Sequence, residues 1–199
     1  MNWIELFLLS LGFSWQMTKI LPLILLFLLS FAICYWFWKK VKTFKFKWVL
    51  FIIAGFIPCS LYFGFYPIYQ SDVKNEYRVV QIGADSLKKI NRFEIIALPN
   101  CPYCISSVDL ISRFKKRNPN LSVEYKIVSV GSKEGKLEKE LRRVGLKYST
   151  IQSGKKMRHI VRGSYPTYVF YQKDKSDIQI WNNNSFGTKA LDFIESKLK

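Results

Sequence analysis

Two cysteines three positions apart, in the tetrapeptide Cys101-Pro102-Tyr103-Cys104, have the spacing that suits covalent sulfur chemistry. They follow an apolar run, residues 93–98, that is typical of a buried strand, and they precede a helical pattern. A sulfur at the start of a helix meets free backbone N–H groups and the positive end of the helix dipole, which favour thiolate over thiol. We therefore expect Cys101 to attack a client disulfide and Cys104, one turn deeper, to resolve the mixed disulfide.

A structural disulfide and half of a zinc site are the alternative roles for this pair. A disulfide across two intervening residues closes a very small loop and stabilises a fold little. Zinc needs further ligands, but the one histidine is His159, and the other two cysteines, Cys34 and Cys59, lie in apolar runs near the N-terminus. Redox exchange is therefore the prediction, with no metal and no cofactor.

Alternating strand and helix patterns surround the cysteines. The stretch 148–162 is long, polar and basic, and we expect a further short helix within it. The order of the elements predicts an α/β fold in which a mixed central sheet is flanked by helices. Strand patterns cover residues 77–82, 92–98, 122–130, 165–171 and 177–181, and helical patterns cover residues 84–90, 101–117, 135–146 and 189–198.

From about Arg78 onward the chain resembles the thioredoxin-like proteins. Two features carry the resemblance: a C-x-x-C at a strand-to-helix junction, and a proline that opens a later strand in Ser164-Tyr165-Pro166-Thr167. The dipeptide Pro102-Tyr103 resembles that of a glutaredoxin. The tripeptide Val161-Arg162-Gly163 resembles the membrane-tethered group of thioredoxin-like proteins.

This resemblance implies a thioredoxin fold for residues 77–199, with Cys101 and Cys104 as its catalytic, redox-active pair. One position departs from the family pattern. The acid that thioredoxins keep buried six residues before the first cysteine is replaced here by Ile95. The neighbouring acid, Glu94, should point to the opposite side of the strand, so we expect no buried carboxylate to assist Cys104.

A client-binding rim is also predicted beside the pair. The resemblance implies a cis peptide bond before Pro166, which exposes the backbone of Tyr165 to an extended client segment. The alternative is an ordinary proline at a strand edge. We expect Tyr103 and Tyr165 to line the rim, while Tyr168 either joins them or lies on the sheet surface.

Two uncharged apolar runs, residues 20–38 and 48–67, precede the α/β region. Each is long enough to cross a hydrocarbon core of roughly 30 Å as a helix, and their Trp and Tyr residues cluster at the ends, as interfacial anchors do. We predict two transmembrane helices. The preceding segment, residues 1–19, is apolar but contains Glu5, so it is either an interfacial helix or a short extra span.

The loop between the two runs, residues 39–47, contains five lysines, and short lysine-rich loops stay on the cytoplasmic side. We therefore expect residues 68–76 to be a tether on the far side of the membrane. The predicted location is a bacterial inner membrane, with a multi-pass anchor and a C-terminal domain in the periplasm or outside the cell. The net charge of +17 fits a solvated face near acidic lipid better than nucleic-acid binding, because no stacking aromatics are interleaved with the basic residues.

These patterns together predict a membrane-anchored thiol–disulfide oxidoreductase that acts on envelope or exported proteins, with a slight preference for reduction. We expect a separate membrane electron donor, because Cys34 and Cys59 differ in depth by roughly 10 Å, too far for a disulfide relay. Two alternatives stay open. One is a thiol oxidase of oxidative folding with a membrane electron acceptor, and the other is a non-catalytic assembly factor that uses the fold for docking.

Overall fold

The computed structural model describes residues 3–40, 47–81, 90–128, 135–152 and 159–198. These residues form two compact units, the first extending to Val73 and the second beginning at Lys74. The first unit is helical and largely apolar, and the second contains a sheet flanked by helices. The second unit carries both residues of the cysteine pair, Cys101 and Cys104.

The first unit begins with a short helix that is tied to a long one. Glu5 of the short helix is almost fully buried and forms an ion pair with Lys19 of the long helix at 3.2 Å. The short helix has eight residues, or about 12 Å of length, so it cannot cross a hydrocarbon core by itself. The described helices are α1 (Trp3–Ser10), α2 (Trp15–Lys40), α3 (Lys47–Phe65) and α4 (Gln70–Val73).

Among the described helices, α2 is the one that is long and apolar enough to cross a membrane. It extends beyond the predicted span at both ends, and many of its large apolar side chains are exposed rather than packed into a protein core. Most of the second predicted span, residues 48–67, falls in α3, but several of its side chains lie outside the described residues. Most of the predicted lysine loop, residues 39–47, also lies outside them. The predicted tether, residues 68–76, contains α4.

One mixed sheet forms the centre of the second unit, in the order β1-β6-β5-β2-β3-β4. The pairs β2–β3 and β3–β4 are parallel and the other pairs are antiparallel. The central strand β2 is therefore hydrogen-bonded on both sides, and Phe93, Ile95 and Ala97 are fully buried on one of its faces. The described strands are β1 (Arg78–Gln81), β2 (Arg92–Ala97), β3 (Ser122–Val128), β4 (Lys147–Ile151), β5 (Thr167–Tyr171) and β6 (Asp177–Trp181).

Helices α5 (Pro102–Arg117) and α7 (Thr188–Leu198) pack on the same face of this sheet. Phe114 of α5 meets Phe93 edge to face, with ring centroids 5.8 Å apart. Phe193 of α7 contacts Trp181 of β6. Helix α6 (Lys136–Val144) lies beside α5. The mixed sheet with flanking helices confirms the predicted fold class. The opposite face carries an apolar cluster formed by Ile96, Val128, Val161, Val169, Ile178 and Ile180.

A short helix was expected within residues 148–162, and residues 159–161 are helical, but the start of this stretch belongs to strand β4, which the sequence did not predict. Residues 147–151 instead form a strand parallel to β3 at one end of the strand order. Its side chains are half-buried or exposed, so it lacks the apolar alternation that identifies a strand with one buried face. Residues 153–158, and the predicted helix 84–90 apart from Ile90, lie outside the described residues.

A network of charged side chains joins β2, β3 and β4 on the sheet face opposite α5. Arg92 contacts both Glu94 and Glu124 at 2.6 Å, and Lys126 contacts Glu124 at 2.6 Å. The Ser149 hydroxyl donates to Glu124 at 2.7 Å, which ties the polar edge strand to its neighbour. Burial alone would raise the pKa of Glu124, but hydrogen bonds from Lys126 and Ser149 and the charges of Lys126 and Arg92 outweigh it and lower this pKa.

We expect Glu124→Gln to lower the free energy of unfolding at neutral pH by about 1 kcal/mol, because it removes a carboxylate that accepts three charged or polar donors. The lowered pKa of Glu124 means that its stabilisation is present above the ordinary glutamate value of about 4.3 and is lost as the pH falls through the lowered pKa. Denaturant unfolding across this pH range should therefore show the difference from wild type shrinking in acid.

Glu140→Gln is the matched control, because Glu140 pairs with Arg143 in an exposed, local ion pair. Its substitution should change the free energy of unfolding by less than about 0.5 kcal/mol at any of these pH values. Equal effects of the two variants would contradict a role for the network in holding β4.

Candidate active site

The two cysteines lie where β2 ends and α5 begins. Cys101 is the N-cap of α5, with φ −72° and ψ 119°, and Pro102 occupies the first turn, where its missing N–H removes no helical hydrogen bond. The Cys101 sulfur accepts the backbone N–H of Cys104 at 3.3 Å. It takes the place of the oxygen of an ordinary capping side chain.

Cys104 has the opposite surroundings. Its side chain is fully buried, whereas Cys101 is partly exposed, and both are free thiols. Burial raises the pKa of Cys104, and a hydrogen bond with the side chain of Cys101 raises it further. One sulfur can therefore meet a molecule from outside, and the other can meet only the first sulfur. A two-step exchange through a mixed disulfide requires this division.

The loop before β5 faces the cysteine pair. The Tyr165–Pro166 peptide bond is cis, as the resemblance implies. The Tyr165 carbonyl oxygen accepts the Cys101 thiol at 3.9 Å, while the Tyr165 side chain packs against the apolar cluster of the sheet. Pro166 is buried. The structure therefore brings the backbone of Tyr165, and not its ring, to the sulfur of Cys101.

The other two candidate rim tyrosines lie in different surroundings. Tyr103 is in the first turn of α5, between the cysteines, and 63% of it is exposed. Tyr168 is buried in β5 and stacks on Phe186 with ring centroids 3.7 Å apart. The two sequence-based interpretations of Tyr168, as a rim residue or as sheet surface, are therefore wrong. Because β5 has a strand on each side and its inner face is covered, a ring on that face belongs to the core.

The position six residues before Cys101 is buried and apolar. Ile95 is fully buried on the sheet face that packs against α5. Glu94 lies on the opposite face, where it pairs with Arg92 at 2.6 Å, so the predicted direction of Glu94 is confirmed. The acid that neighbours this position in the sequence is therefore turned away from Cys104.

Two hydroxyl groups, one from α5 itself and one from β3, lie near Cys104, and the sequence pattern did not reveal them as site residues. The Ser107 Oγ of α5 is 3.1 Å from the Tyr125 hydroxyl oxygen of β3, and both side chains are buried. The available signal was an inward-facing tyrosine on a strand whose other inward residues, Val123 and Ile127, are aliphatic. Only the register of β3 against β2 shows where that tyrosine points.

Helix α6 braces the loop between β2 and α5. The N–H of Leu137 donates to the Pro99 carbonyl at 3.0 Å, and the N–H of Lys136 donates to Asn100 Oδ1 at 3.1 Å. Both are first-turn N–H groups that have no partner within their own helix. Gly135 permits this approach, because a Cβ there would lie 2.5 Å from the Pro99 Cβ and 2.6 Å from its carbonyl oxygen.

No protein-family model and no curated protein sequence matches the chain. Solved structures do match it in fold. A secreted disulfide oxidoreductase of Mycobacterium tuberculosis, homologous to E. coli DsbE, is 16% identical over 57% of this chain and 84% of that one, with a TM-score of 0.42. A putative thioredoxin from Neisseria meningitidis is 14% identical over 66% and 91% of the two chains, with a TM-score of 0.44. The exposed lipoprotein thioredoxin Etrx1 of Streptococcus pneumoniae is 14% identical over 62% and 98%, with a TM-score of 0.41. The strand order of the second unit, its cysteine pair between β2 and α5 and the cis bond before Pro166 agree with the thioredoxin-like fold that the sequence resemblance implies.

We expect Gly135→Ala to displace the loop before Cys101, because the added methyl group meets the backbone of Pro99. The variant should lose about 1–3 kcal/mol of unfolding free energy from overpacking. Alkylation of Cys101 should slow about fivefold, since a shifted N-cap loses the N–H contact to its sulfur. Time-resolved alkylation of the full-length protein, read at Cys101 by mass spectrometry, measures this effect.

Gly145→Ala is the control for glycine loss at the other end of α6. Gly145 has φ +70° and no atom within 4 Å of an added Cβ, so its cost of about 1–2 kcal/mol comes from the left-handed backbone alone. The rate at Cys101 should stay at the wild-type value in this variant. A folded Gly135→Ala protein with unchanged Cys101 alkylation would show that α6 does not position the site.

Proposed function

We propose that this protein is a membrane-anchored thiol–disulfide oxidoreductase that acts on envelope or exported proteins through Cys101 and Cys104, with a preference for reduction. The observation that supports it most directly is the difference between the two sulfurs. Cys101 is partly exposed at a helix N-cap, and Cys104 is fully buried directly behind it.

In the reducing direction the chemistry has two steps. The Cys101 thiolate attacks a client disulfide, a bond forms between Cys101 Sγ and one client sulfur, and the other client sulfur leaves as a thiolate and takes up a proton. Cys104 then attacks Cys101 Sγ, the bond to the client breaks, and the second client sulfur leaves as a thiol. The client gains two electrons and the cysteine pair becomes a disulfide. A separate membrane-bound dithiol donor returns the pair to its thiol form.

Client binding follows from the backbone beside Cys101. The Tyr165 carbonyl lies at the sulfur, at the start of the loop that leads into β5. An extended client segment placed there would lie beside this backbone, with its own sulfur next to Cys101. Pro166 has no N–H, so the loop donates no hydrogen bond at this position to the carbonyl groups of the client segment. The exposed ring of Tyr103 offers an apolar contact on the other side.

The preference for reduction rests on the surroundings of Cys104. Strong disulfide oxidants owe their potential to a stabilised reduced form. Burial raises the pKa of Cys104, so the reduced form of the pair gains no stability from ionisation of this sulfur. Glu94 is also directed away from Cys104. We therefore propose a potential between the roughly −270 mV of thioredoxin and the roughly −120 mV of the strong oxidants.

The membrane anchor that we propose consists of two spans, residues 20–38 and 48–67, with the lysine loop in the cytoplasm and the second unit outside. Helix α2 supports the first span by its length and apolarity. At its end Lys39 lies over the Tyr35 ring at 5.0 Å and Lys40 over the Trp36 ring at 4.2 Å. Such cation–aromatic pairs suit the boundary between lipid and water.

Cys104→Ser is expected to accumulate mixed disulfides between Cys101 and client proteins, because the attacking sulfur remains and the resolving sulfur is gone. Non-reducing gels of membranes that contain the full-length protein, followed by mass spectrometry of the joined peptides, measure the adducts. Their amount should rise at least tenfold over wild type.

Three matched variants control this experiment. Cys101→Ser and the double variant should trap nothing, and Cys59→Ser in α3 should behave as wild type. The absence of Cys101-linked adducts from Cys104→Ser would exclude exchange and leave the docking alternative. The state of the wild-type pair in the same membranes separates the two redox directions, because a reductase is held as the dithiol and an oxidase as the disulfide.

We expect a phosphatase reporter fused at the C-terminal end to be active, because that reporter folds only outside the cytoplasm, and a green fluorescent reporter at the same place to stay dark. The same pair joined after Lys40 should give the reverse result, because the lysine loop stays in the cytoplasm. A fluorescent C-terminal fusion would contradict the proposed orientation and the proposed envelope clients.

A further inference from the structure

Three buried hydroxyl groups form a cluster behind Cys104, and we refer to Ser107, Tyr125 and Tyr168 as the hydroxyl cluster. Ser107 lies one helical turn after Cys104, and its Oγ donates to the Cys104 carbonyl oxygen at 2.8 Å. The same Oγ is 3.1 Å from the hydroxyl oxygen of Tyr125. Ser107 also acts on Tyr168, whose pKa it lowers against the larger effect of burial. Ser107 is therefore the residue that links the two phenols.

The sheet register explains how two phenols reach the same place. Ile95 of β2 is paired with Tyr125 of β3 on one side and with Tyr168 of β5 on the other. Paired residues of adjacent strands point to the same face, so both rings lie beneath α5 on either side of Ile95. They flank the position at which the family resemblance would place a buried acid.

Counting the hydroxyl protons assigns the direction of each bond. A serine hydroxyl has one proton and two acceptor lone pairs. Ser107 gives its proton to the Cys104 carbonyl, so the Tyr125 hydroxyl donates to Ser107. The cluster is complete as it stands, and its phenol O–H groups can rotate about their C–O bonds toward another acceptor that appears nearby.

The two phenols also interact with the charge of Cys104. Burial raises the pKa of Tyr125 and of Tyr168, and the proximity of Cys104 raises both further. Both therefore remain neutral O–H donors when Cys104 ionises. Among the described residues, Cys101 is the titratable group that acts on the pKa of Cys104, and Cys104 in turn acts on Tyr125 of β3 and Tyr168 of β5.

We propose that the hydroxyl cluster solvates the Cys104 thiolate while it resolves the mixed disulfide, in place of a buried carboxylate. Its members are positioning residues, and this role rests on the proposed exchange function. In the step, the Cys104 thiol gives up its proton and its sulfur attacks Cys101 Sγ. The bond from Cys101 to the client sulfur breaks, and the departing client thiolate takes the proton that Cys104 released. The hydroxyl groups turn toward the sulfur during the step and are themselves chemically unchanged when it ends.

The test uses the full-length protein in detergent with Cys34→Ala and Cys59→Ala, so that the only thiols are the pair. The probe is dithiobis(nitrobenzoate), whose released thiolate is coloured. Attack by Cys101 releases the first thiolate, and attack by Cys104 on the mixed disulfide releases the second. Tyr125→Phe and Tyr168→Phe each keep the ring and remove one hydroxyl. Each should slow the second release about tenfold and leave the first unchanged.

A pH series gives a readout that loss of packing would not produce. The rate of the second thiolate release should rise with pH in every variant, because Cys104 attacks as the thiolate. The curve for each Tyr→Phe variant should be displaced to higher pH by about one pH unit, since a tenfold change in thiolate fraction corresponds to that displacement. The Cys101 step should show no displacement.

Tyr171→Phe is the matched control. Tyr171 is on the same strand as Tyr168, and burial also raises its pKa. Its neighbouring carboxylate is Glu94 on the opposite face of the sheet, which raises this pKa further. The variant should release the second thiolate at the wild-type rate. If the Tyr→Phe variants do not fold, Ser107→Thr, which keeps the hydroxyl, should resolve at the wild-type rate and Ser107→Ala about tenfold more slowly.

Two results overturn the cluster's role: a second release at the wild-type rate in the hydroxyl-deleted variants, or equal slowing of both releases. A parental protein that releases only the first thiolate instead overturns the proposed exchange function itself, because Cys104 then resolves nothing. The two failures are therefore distinguishable in one experiment.

Discussion

The position of the Cys101 sulfur depends on backbone hydrogen bonding to β2 rather than on side-chain contacts. β2 is paired with β5 on one side and β3 on the other, so its end has little freedom to move. The chain then turns within a few residues, with the N–H of Cys101 donating to the Leu98 carbonyl at 3.4 Å, and α5 starts. Helix α6 secures the same turn from outside through Pro99. A sulfur held in this way can meet a client without ordering its own loop first, which lowers the entropic cost of each encounter.

The chemical difference between the two cysteines also arises from the backbone. Cys101 lies just outside the helix as its cap, and Cys104 lies one turn inside on the face that meets the sheet. The first sulfur therefore receives an N–H, and the second loses its water. Glu94, the acid next to Ile95 on β2, pairs with Arg92 on the other face of the sheet. Burial and helix geometry can thus separate the roles of the two sulfurs without a charged partner.

The elements that position the cysteines could be predicted from sequence because their signals are local. The apolar run of β2, the capping position of Cys101 and the apolar face of α5 all lie within a short stretch. Pro166 was found through its family resemblance, and its cis bond is present. β4 could not be found in the same way, because a polar edge strand is stabilised by partners such as Glu124 of β3.

The polar surroundings of Cys104 were harder to predict for a related reason. Tyr125 and Ser107 meet across a sheet register and a helix packing angle, neither of which a linear pattern contains. Gly135 meets Pro99 across a stretch that includes β3, and its backbone angles are ordinary, so a turn signal could not reveal it. Short-range chemistry was therefore readable from the residues, whereas the groups that tune it depend on the tertiary fold.

A neutral cluster beneath Cys104 has a structural advantage over a buried acid. A carboxylate in that place would lose several kcal/mol of hydration unless a cation accompanied it, and ionisation of Cys104 would then set two negative charges side by side. Hydroxyl groups that satisfy one another incur far less of this cost and do not repel the thiolate. They also stabilise the thiolate less than a full countercharge would. The second unit therefore keeps a stable core under Cys104, and in the proposed exchange this sulfur would react only when Cys101 brings a disulfide to it.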